Sequence, residues 1–453
     1  MRTDTRARRT TRWVTEHALP MTYLRVAALG GDLQAQVVTA SAAGDHERLE
    51  ALLARARDHG TLVPGRFAAL ATRHASVKEI LTSPDVRVGF PGPDGGTAER
   101  VARWSGAAHL HPLKPPSLLA VEPPDHTRYR KLLTRVFTVR AVEALRPRVE
   151  GIAAGLLDEL EARAAADPDV VVDLVEDYCA RLPVIVIAEI LGVPPEQHAK
   201  VLRMGSAAAP SLDLGLPWRE FTEVEDSLAE FDEWIEGHLA HLRAHPDDTL
   251  MSRLLRASDE EGILDHTELK GTAGLVLAAG FETTVNLLGN GIALLHDHPQ
   301  QQAALDADPT LWPNAVEEVL RLDPPVYLTG RTSTKDTTIA GVPIAERTML
   351  TAMIGAANLD PDVFDDPERF DVARPNAREH LAFSAGRHHC LGAALARLES
   401  EVGLRAIHER FPRLALLPGR VRRTTRVLRG HEHLPARLGQ STSRVSASRA
   451  SGR

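Results

Sequence analysis

One cysteine in the C-terminal part of the chain lies where it could do chemistry. Residues 383 to 392 read Phe-Ser-Ala-Gly-Arg-His-His-Cys-Leu-Gly, and a helical pattern follows directly. Cys390 is therefore expected at a helix N-terminus, where unsatisfied N–H groups and the helix dipole favour a thiolate. Gly386 and Gly392 allow a tight turn and the close approach of a flat partner to the backbone. A thiolate held in this way can ligate haem iron and donate electron density to it, which favours cleavage of an O–O bond.

Two other roles for this cysteine stay open on these residues alone. A lone cysteine is often only a small buried hydrophobe. His388, His389 and Cys390 could instead contribute to a zinc site, although such sites usually use four ligands at characteristic spacings. The only other cysteine, Cys179, lies far away in an apolar segment.

A second group of polar residues interrupts a long apolar helix pattern. Asp265, with a glutamate three residues later, can form a capping box, and the pattern then continues to Asp297. The middle of this helix is apolar almost all round, which predicts burial in the core. Gly280, Glu282 and Thr283 nevertheless lie at its centre, where each is unfavourable. Together they indicate a functional site, or else a salt-bridged Glu282 beside a Thr283 bonded to its own helix.

Both segments resemble motifs of the cytochrome P450 superfamily. The decapeptide is similar to its haem-binding loop, Phe-x-x-Gly-x-His-x-Cys-x-Gly, with Ser384 where many members have Gly. Ala279 to Thr284 resembles its oxygen-activation motif, and the resemblance extends from about Gly65 to about Gly439. It implies that haem b is the cofactor and that Cys390 is its proximal iron ligand. It also implies that Thr283 hydrogen-bonds dioxygen and that Glu282 helps to deliver protons.

Further segments resemble the same family. A Glu-x-x-Arg pair, Glu318 and Arg321, would join Arg374 in a structural lock behind the haem loop. Haem carries two carboxylates, and the resemblance assigns them four basic residues: His126, Arg130, Arg331 and His388. The complete set of residues implied to bind the cofactor is His126, Arg130, Ala279, Gly280, Arg331, Phe383, Gly386, His388, Cys390, Leu391 and Gly392. On another face of the His126 helix, Arg128, Lys131 and Arg135 form either a solvated face or a docking patch for an acidic electron carrier.

Composition restricts the possible functions. Lys plus Arg number 53 and Asp plus Glu number 61, a net charge of −8 that argues against a global nucleic-acid role. Two cysteines in 453 residues fit a reducing cytoplasm rather than a disulfide scaffold. No apolar stretch is long enough for a transmembrane anchor. Five arginines among the first 12 residues are followed by no apolar region typical of a secretory signal, so we expect residues 1–20 to form a disordered basic tail.

Periodicity predicts a mainly α protein with a small β portion, and the resemblance implies the cytochrome P450 fold as a single large haem domain over residues 21–439. Residues 440–453 are rich in Ser and Arg and are expected to be disordered. Residues 89–118 are interpreted as an irregular lid or binding loop. Predicted helices are His46 to His59, Thr127 to Thr138, Val142 to Ala165, Tyr178 to Leu191, Glu220 to Arg243, His266 to Asp297, Leu311 to Arg321 and Leu391 to Arg410. Predicted strands are Arg66 to Thr72, Thr337 to Ile339, Val342 to Ile344 and Met349 to Ile354.

These observations predict a haem-thiolate monooxygenase of the bacterial type without a membrane anchor, located in the cytoplasm. It would insert one atom of dioxygen into an apolar small molecule, by hydroxylation or epoxidation. No Gly-rich dinucleotide fingerprint follows a strand, so electrons from NAD(P)H are expected through a separate protein. The resemblance implies that this is a ferredoxin with its ferredoxin reductase. Substrate contacts are expected from residues 89–118, Met204 to Trp218, the helix near Val276 and Ala279, and Val326 to Leu328. The alternatives are a peroxide-using peroxygenase and a non-catalytic haem or ligand binder, and the presence of Glu282 and Thr283 argues against both.

Overall fold

The computed structural model describes residues 4–92, 95–107, 109–134, 137–261 and 264–439. Helices predominate and the strands are short, which confirms the predicted mainly α class. The helices are α1 (Arg6–Trp13), α2 (Leu19–Leu29), α3 (Leu33–Ala42), α4 (His46–His59), α5 (His74–Thr82), α6 (Gly96–Ser105), α7 (Asp125–Thr134), α8 (Val139–Glu143), α9 (Arg146–Ala166), α10 (Arg181–Ile190), α11 (His198–Ala208), α12 (Trp218–Ala244), α13 (Leu250–Glu261), α14 (His266–Asp297), α15 (Pro299–Ala307), α16 (Trp312–Leu322), α17 (Ile354–Ala357) and α18 (Ala393–Arg410). None of these helices is both long and apolar enough to cross a membrane.

The strands form small sheets around the helical body. They are β1 (Ala69–Ala71), β2 (Val86–Val88), β3 (Val172–Asp173), β4 (Thr329–Ser333), β5 (Thr337–Ile339), β6 (Val342–Ile344), β7 (Met349–Ala352), β8 (Ala415–Leu416), β9 (Val421–Arg422), β10 (His431–His433) and β11 (Pro435–Arg437). The largest sheet has the order β1-β7-β4-β2, and the predicted β5–β6 hairpin is present. In that sheet Arg331 on β4 pairs with Val88 on one side and Leu350 on the other, which fixes the direction of its side chain.

Helix α14 runs through the core and has the predicted bounds. The capping box at Asp265 is present, with both reciprocal hydrogen bonds. A Cβ atom on Gly280 would lie 2.8 Å from Cγ1 of Ile187 on α10, and one on Gly291 would lie 2.7 Å from Leu404 on α18. Gly280 is therefore explained by close helix packing, whereas the sequence analysis took it as a sign of a functional site.

The prediction of a disordered N-terminal tail is wrong for residues 4–20. They form α1, a π-helical turn at Val14–Ala18 and the start of α2. Arg12 is fully buried and its guanidinium bonds Asp4, Glu225 on α12 and the carbonyl of Ser105 on α6. The sequence suggested solvated arginines, but this one neutralises a buried carboxylate and so orders the segment. The tail predicted at residues 440–453 lies outside the described residues.

The segment 89–118 is also more regular than predicted. Residues 96–105 form α6, whose exposed polar face and preceding glycines gave a loop-like composition.

Behind the cysteine loop, the predicted structural lock is present: Glu318 pairs with Arg321 at 2.7 Å and with Arg374 at 3.0 Å, all three side chains being buried. Arg321 also donates to the carbonyls of Asn358 and Pro367, which ties this region together.

Candidate functional site

The loop that carries Cys390 is held by its own backbone. The N–H of Cys390 donates to the carbonyl of Phe383 at 2.8 Å, and α18 begins three residues after the cysteine. The Phe383 ring packs under the guanidinium of Arg397, with 4.5 Å between the guanidinium carbon and the ring centre. The loop and the start of α18 therefore fix the position of the Cys390 side chain.

Two positions in this loop have a left-handed backbone. Gly386 has φ +67°, and a Cβ atom there would lie 2.9 Å from the carbonyl oxygen of Leu81, so the site requires glycine. Ser384 has φ +60°, which explains why many family members have glycine at this position. Its hydroxyl is buried without a hydrogen-bond partner among the described residues, so the serine adds strain and no compensating bond.

The thiol of Cys390 opens onto a cavity and is half-buried. Burial raises the pKa of Cys390, while an N–H bond from Gly392 and the charges of Arg130 and Arg397 oppose this increase. The N–H bond acts in the direction expected near a helix N-terminus, but burial outweighs it. A metal cation bound to the sulfur would take the place of the thiol proton, which would be released to solvent.

A cavity of about 520 Å³ joins most of the predicted site residues. Its lining includes Cys390, the acid–alcohol pair Glu282 and Thr283, and every predicted cofactor-binding residue except Gly386: His126, Arg130, Ala279, Gly280, Arg331, Phe383, His388, Cys390, Leu391 and Gly392. Most of the remaining lining is apolar. Residues distant in the sequence thus meet in one apolar chamber with a thiol in its wall.

Several basic residues in this cavity, among them Arg331, His126 and Arg130, have no ion pair with an acidic residue in the described part of the chain. Arg331 is 4% exposed and donates only to Thr329 Oγ1 and the carbonyl of Gly330. Burial lowers the pKa of Arg331 to about 10 and, with smaller contributions from His388 and Arg130, that of His126 to about 4. Nε2 of His126 is buried without a partner, and Arg130 has no ion pair among the described residues. Buried donors of this kind need a hydrogen-bond acceptor, which a carboxylate of a bound group would supply.

The fourth predicted propionate residue has an internal partner. Nε2 of His388 lies 3.2 Å from Glu122 Oε1, and Arg387 donates to the other oxygen of Glu122 at 3.0 Å. The N–H of Val88 also donates to Glu122, which links the cysteine loop to β2. Arg387 was missed by the sequence analysis. Within the described residues no group of three or more His, Cys, Asp and Glu side chains is arranged to bind a metal ion.

The acid–alcohol pair on α14 has two separate sets of contacts. Thr283 Oγ1 donates to the carbonyl of Ala279 at 3.1 Å. Glu282 is 4% exposed; Oε1 lies 2.6 Å from Nη1 of Arg423, and Ser206 donates to Oε2 at 3.0 Å. Both alternatives considered for these residues, a helix-bonded threonine and a salt-bridged glutamate, describe real contacts. Both side chains nevertheless line the cavity, so the contacts do not remove them from the site.

Each segment predicted to contact substrate contributes to the cavity wall. Examples are Phe90, Leu113, Ala208, Val276 and Leu328. The sequence analysis missed further parts of the wall, among them one from α3 and one from residues 426–428. Four residues of α3 line the cavity at spacings of three and four: Gln34, Val37, Val38 and Ser41. That spacing marks one helix face and could have predicted this wall.

The structure changes which residues of α7 could form the predicted docking patch. Arg128 bonds both oxygens of Glu268, at 2.8 and 2.7 Å, and also pairs with Asp125. Its charge is therefore balanced within the chain, and it fixes α7 to the start of α14. Lys131 is exposed, while Arg135 lies outside the described residues.

Comparison with known proteins agrees with this geometry. The family model "Cytochrome P450" matches residues 209–425. The protein called putative cytochrome P450 140 of Mycobacterium tuberculosis is 49% identical over 438 residues, covering 96% of this chain and 98% of that protein. The 6-deoxyerythronolide B hydroxylase of Saccharopolyspora erythraea is 42% identical over 321 residues, covering 70% and 76%. The solved structure of myxobacterial cytochrome P450 CYP267B1 with myristic acid matches with a TM-score of 0.77 and 32% identity, covering 89% and 98%.

The fold and the site therefore define a cytochrome P450. The chain belongs to this family throughout the region shared with its relatives, and it is a P450 monooxygenase that uses haem iron. The predicted fold class and family are confirmed.

Proposed function

We propose that the protein binds haem b through Cys390 and inserts one atom of dioxygen into an apolar small molecule, by hydroxylation or epoxidation. One observation carries the proposal: a single apolar cavity contains a thiol, an acid–alcohol pair and buried basic residues without acidic partners. The lining fits the flat dianionic cofactor. His126, Arg130 and Arg331 would bind its carboxylates, and His388 would lie beside them. Nothing lies within 4 Å of a Cβ built on Gly392, so the backbone there leaves space for a ring system.

Bound haem would supply the activation of dioxygen and the cleavage of its O–O bond. The chain supplies the surroundings. Gly392 donates its N–H toward the sulfur of Cys390, which stabilises negative charge on Sγ. Apolar side chains such as Leu275, Val276 and Leu328 exclude bulk water from the chamber.

Proton supply falls to Glu282 and Thr283. The hydroxyl of Thr283 can exchange its bond to Ala279 for one to an oxygen atom in the cavity, to which it donates its proton. The carboxylate of Glu282, held by Arg423 and Ser206, lies one residue away. It can take up a proton from solvent water and pass that proton through a water molecule to the Thr283 oxygen. Because Glu282 is held on two sides, the relay starts from a fixed position.

We also propose that electrons come from NAD(P)H through a separate ferredoxin and its reductase. Exposed Lys131 on α7 supports this, since α7 also carries Arg130 of the cavity wall and a cation there attracts an acidic carrier. The cytoplasm is proposed as the location because Cys179 and Cys390 are both free thiols, as expected in a reducing compartment.

The test compares two routes of turnover on one panel of apolar substrates. Purified holoenzyme is supplied either with ferredoxin, reductase and NAD(P)H or with hydrogen peroxide alone. We expect oxygenated product with the first supply and little with the second. Product with peroxide alone would identify a peroxygenase. Absence of donor consumption above background with every substrate would favour a non-catalytic binder.

A further inference from the structure

Arg426 is a second kind of cation in the cavity wall. It lies in the loop between β9 and β10, is 8% exposed and lines the same chamber as Cys390. The backbone N–H groups of Arg426 and Val427 donate to Asp213 Oδ2 and Oδ1, at 2.8 and 2.9 Å. Both oxygens of Asp213 are thus engaged by backbone, and the loop is held in place while the guanidinium of Arg426 is not.

That guanidinium has no hydrogen bond and no ion pair within the described residues. Deeply buried arginines that lie outside the cavity have such partners: Arg12, Arg321 and Arg374 each donate to a carboxylate and to at least one backbone carbonyl. A buried arginine whose donors open only onto a cavity is costly unless a ligand supplies an acceptor. Arg331 is likewise buried in the cavity wall without a carboxylate partner among the described residues, and a carboxylate of the proposed haem would supply its acceptor.

The groups that face Arg426 show that it does not belong to the cofactor site. The charged or titratable neighbours that influence it are Asp213, Glu220 at the start of α12, and His17 in the turn after α1. Burial lowers the pKa of His17 to about 4, so this histidine is neutral near pH 7. Within the described part of the chain, none of these residues forms a hydrogen bond or ion pair with the thiol or with the basic residues assigned to the cofactor. Arg426 therefore marks a polar point apart from the residues assigned to the cofactor, in a chamber whose wall is mostly apolar.

The same charges indicate what the ligand is. Asp213 and Glu220 already offset the positive charge of Arg426, so an added carboxylate would face two carboxyl groups as well as one guanidinium. A neutral carbonyl oxygen accepts from the guanidinium without that repulsion. We propose that Arg426 anchors a neutral carbonyl group of the substrate, an ester, lactone or ketone carried by a large apolar skeleton. This inference rests on the proposed function, because it concerns the substrate of the same chamber.

The test uses three probes of equal carbon count. They are pentadecanolide, a macrocyclic lactone; cyclopentadecane, the ring hydrocarbon; and pentadecanoic acid, a carboxylate near pH 7. Equilibrium dialysis measures their dissociation constants for the holoenzyme and for Arg426→Leu, with Arg426→Gln beside it because glutamine retains amide donors. Arg422→Leu is the matched control: it removes a guanidinium from the adjoining strand that pairs with Asp323 and lies outside the cavity wall.

We expect the holoenzyme to bind the lactone about tenfold or more tightly than the hydrocarbon, as one hydrogen bond to a charged donor allows. Arg426→Leu should reduce this preference to about twofold or less, Arg426→Gln should give an intermediate value, and Arg422→Leu should leave it unchanged. The inference is overturned if Arg426→Leu keeps the preference, if the holoenzyme shows none, or if the acid binds most tightly and loses affinity in Arg426→Leu.

The two proposals fail in different ways. If Cys390 does not hold haem, the wild-type protein lacks the red-shifted Soret band of the reduced carbon monoxide complex. If only the Arg426 anchor is wrong, that band is present in the wild type and in all three variants, while the lactone preference does not follow residue 426.

Discussion

Replacement of Arg331 by methionine should change stability in opposite directions with and without the cofactor. Arg331 is almost fully buried on β4, between Val88 and Leu350 of the neighbouring strands. Burial lowers its pKa from the ordinary 12.5 to about 10, although the charge of Glu122 opposes the decrease. That difference corresponds to about 3 kcal/mol by which the folded protein without haem is destabilised by this charge. Arg331→Met removes the charge and keeps the apolar volume, so the apoprotein should gain up to about 3 kcal/mol.

The holoprotein should lose stability instead. If Arg331 binds a haem carboxylate, the substitution removes a hydrogen bond between charged groups, worth about 1.5–3 kcal/mol. Haem should then bind about ten- to a hundredfold more weakly. The sign of the effect on unfolding therefore depends on whether the carboxylate is present, which a purely structural role for Arg331 would not produce.

Two measurements test this prediction. Urea unfolding of the apoprotein, followed by tryptophan fluorescence, gives the change in midpoint, and transfer of haem to apomyoglobin gives the rate of cofactor loss. Arg87→Met on the adjoining strand β2 is the control, because Arg87 is only partly buried, donates to the carbonyl of Phe90 and does not line the cavity. It should change neither quantity appreciably. Destabilisation of the apoprotein by Arg331→Met, or unchanged haem loss, would refute the reasoning.

Four further variants test other parts of the site and its support. Cys390→Ser should abolish the red-shifted Soret band of the reduced carbon monoxide complex, and an unchanged spectrum would exclude Cys390 as the ligand. Thr283→Ala should increase the peroxide released per NAD(P)H consumed several-fold, whereas Thr272→Ala on the same helix but outside the cavity wall should not; equal coupling in both would argue against the relay. Glu318→Leu leaves Arg321 and Arg374 buried without their carboxylate and should cost about 3–5 kcal/mol in denaturant unfolding, and a loss below about 1 kcal/mol would contradict the buried pairing. Burial alone would raise the pKa of Glu317, but hydrogen bonds from His380 and Arg397 outweigh it and lower the pKa to about 2. Because the pKa of Glu317 is lower in the folded than in the unfolded protein, its carboxylate stabilises the fold at pH values above the unfolded pKa, and this stabilisation is lost on acidification. Glu317→Gln should therefore cost about 3 kcal/mol near pH 7 and progressively less from about pH 5 to pH 3. A pH-independent difference would be inconsistent with the shift.

The sequence predicted those parts of the fold that depend on local signals. Helix α14 has the predicted bounds because its capping box, apolar run and terminal proline are all local. The β5–β6 hairpin follows from its short alternating strands on either side of an Ala-Gly turn. Cys390, Thr283 and the buried lock at Glu318 also follow motifs with fixed spacing. Each of these features is written within a few adjacent residues.

The features that were missed depend on contacts between distant segments. The arginine-rich N-terminal sequence indicated a disordered tail, because the partner that buries Arg12, Glu225, lies more than 200 residues away. Gly280 lines the cavity as predicted, but the close approach of Ile187 on α10, which also requires a glycine there, is not visible in the local sequence. Likewise, the wall formed by Arg426 depends on Asp213, which no local pattern connects to it. Composition and periodicity carry no information about which distant side chains meet.

The anchoring of α1 has a practical meaning for anyone who reshapes this enzyme. Arg12 holds together α6 and α12, two elements whose neighbouring loops border the chamber, through Ser105 and Glu225. Removal of the first dozen residues would take away the guanidinium that links these two elements and would leave His109, at 3.6 Å, as the basic residue beside Glu225. Substitutions at Arg12 therefore offer a way to change how α6 and α12 are joined while every residue of the cavity wall stays the same.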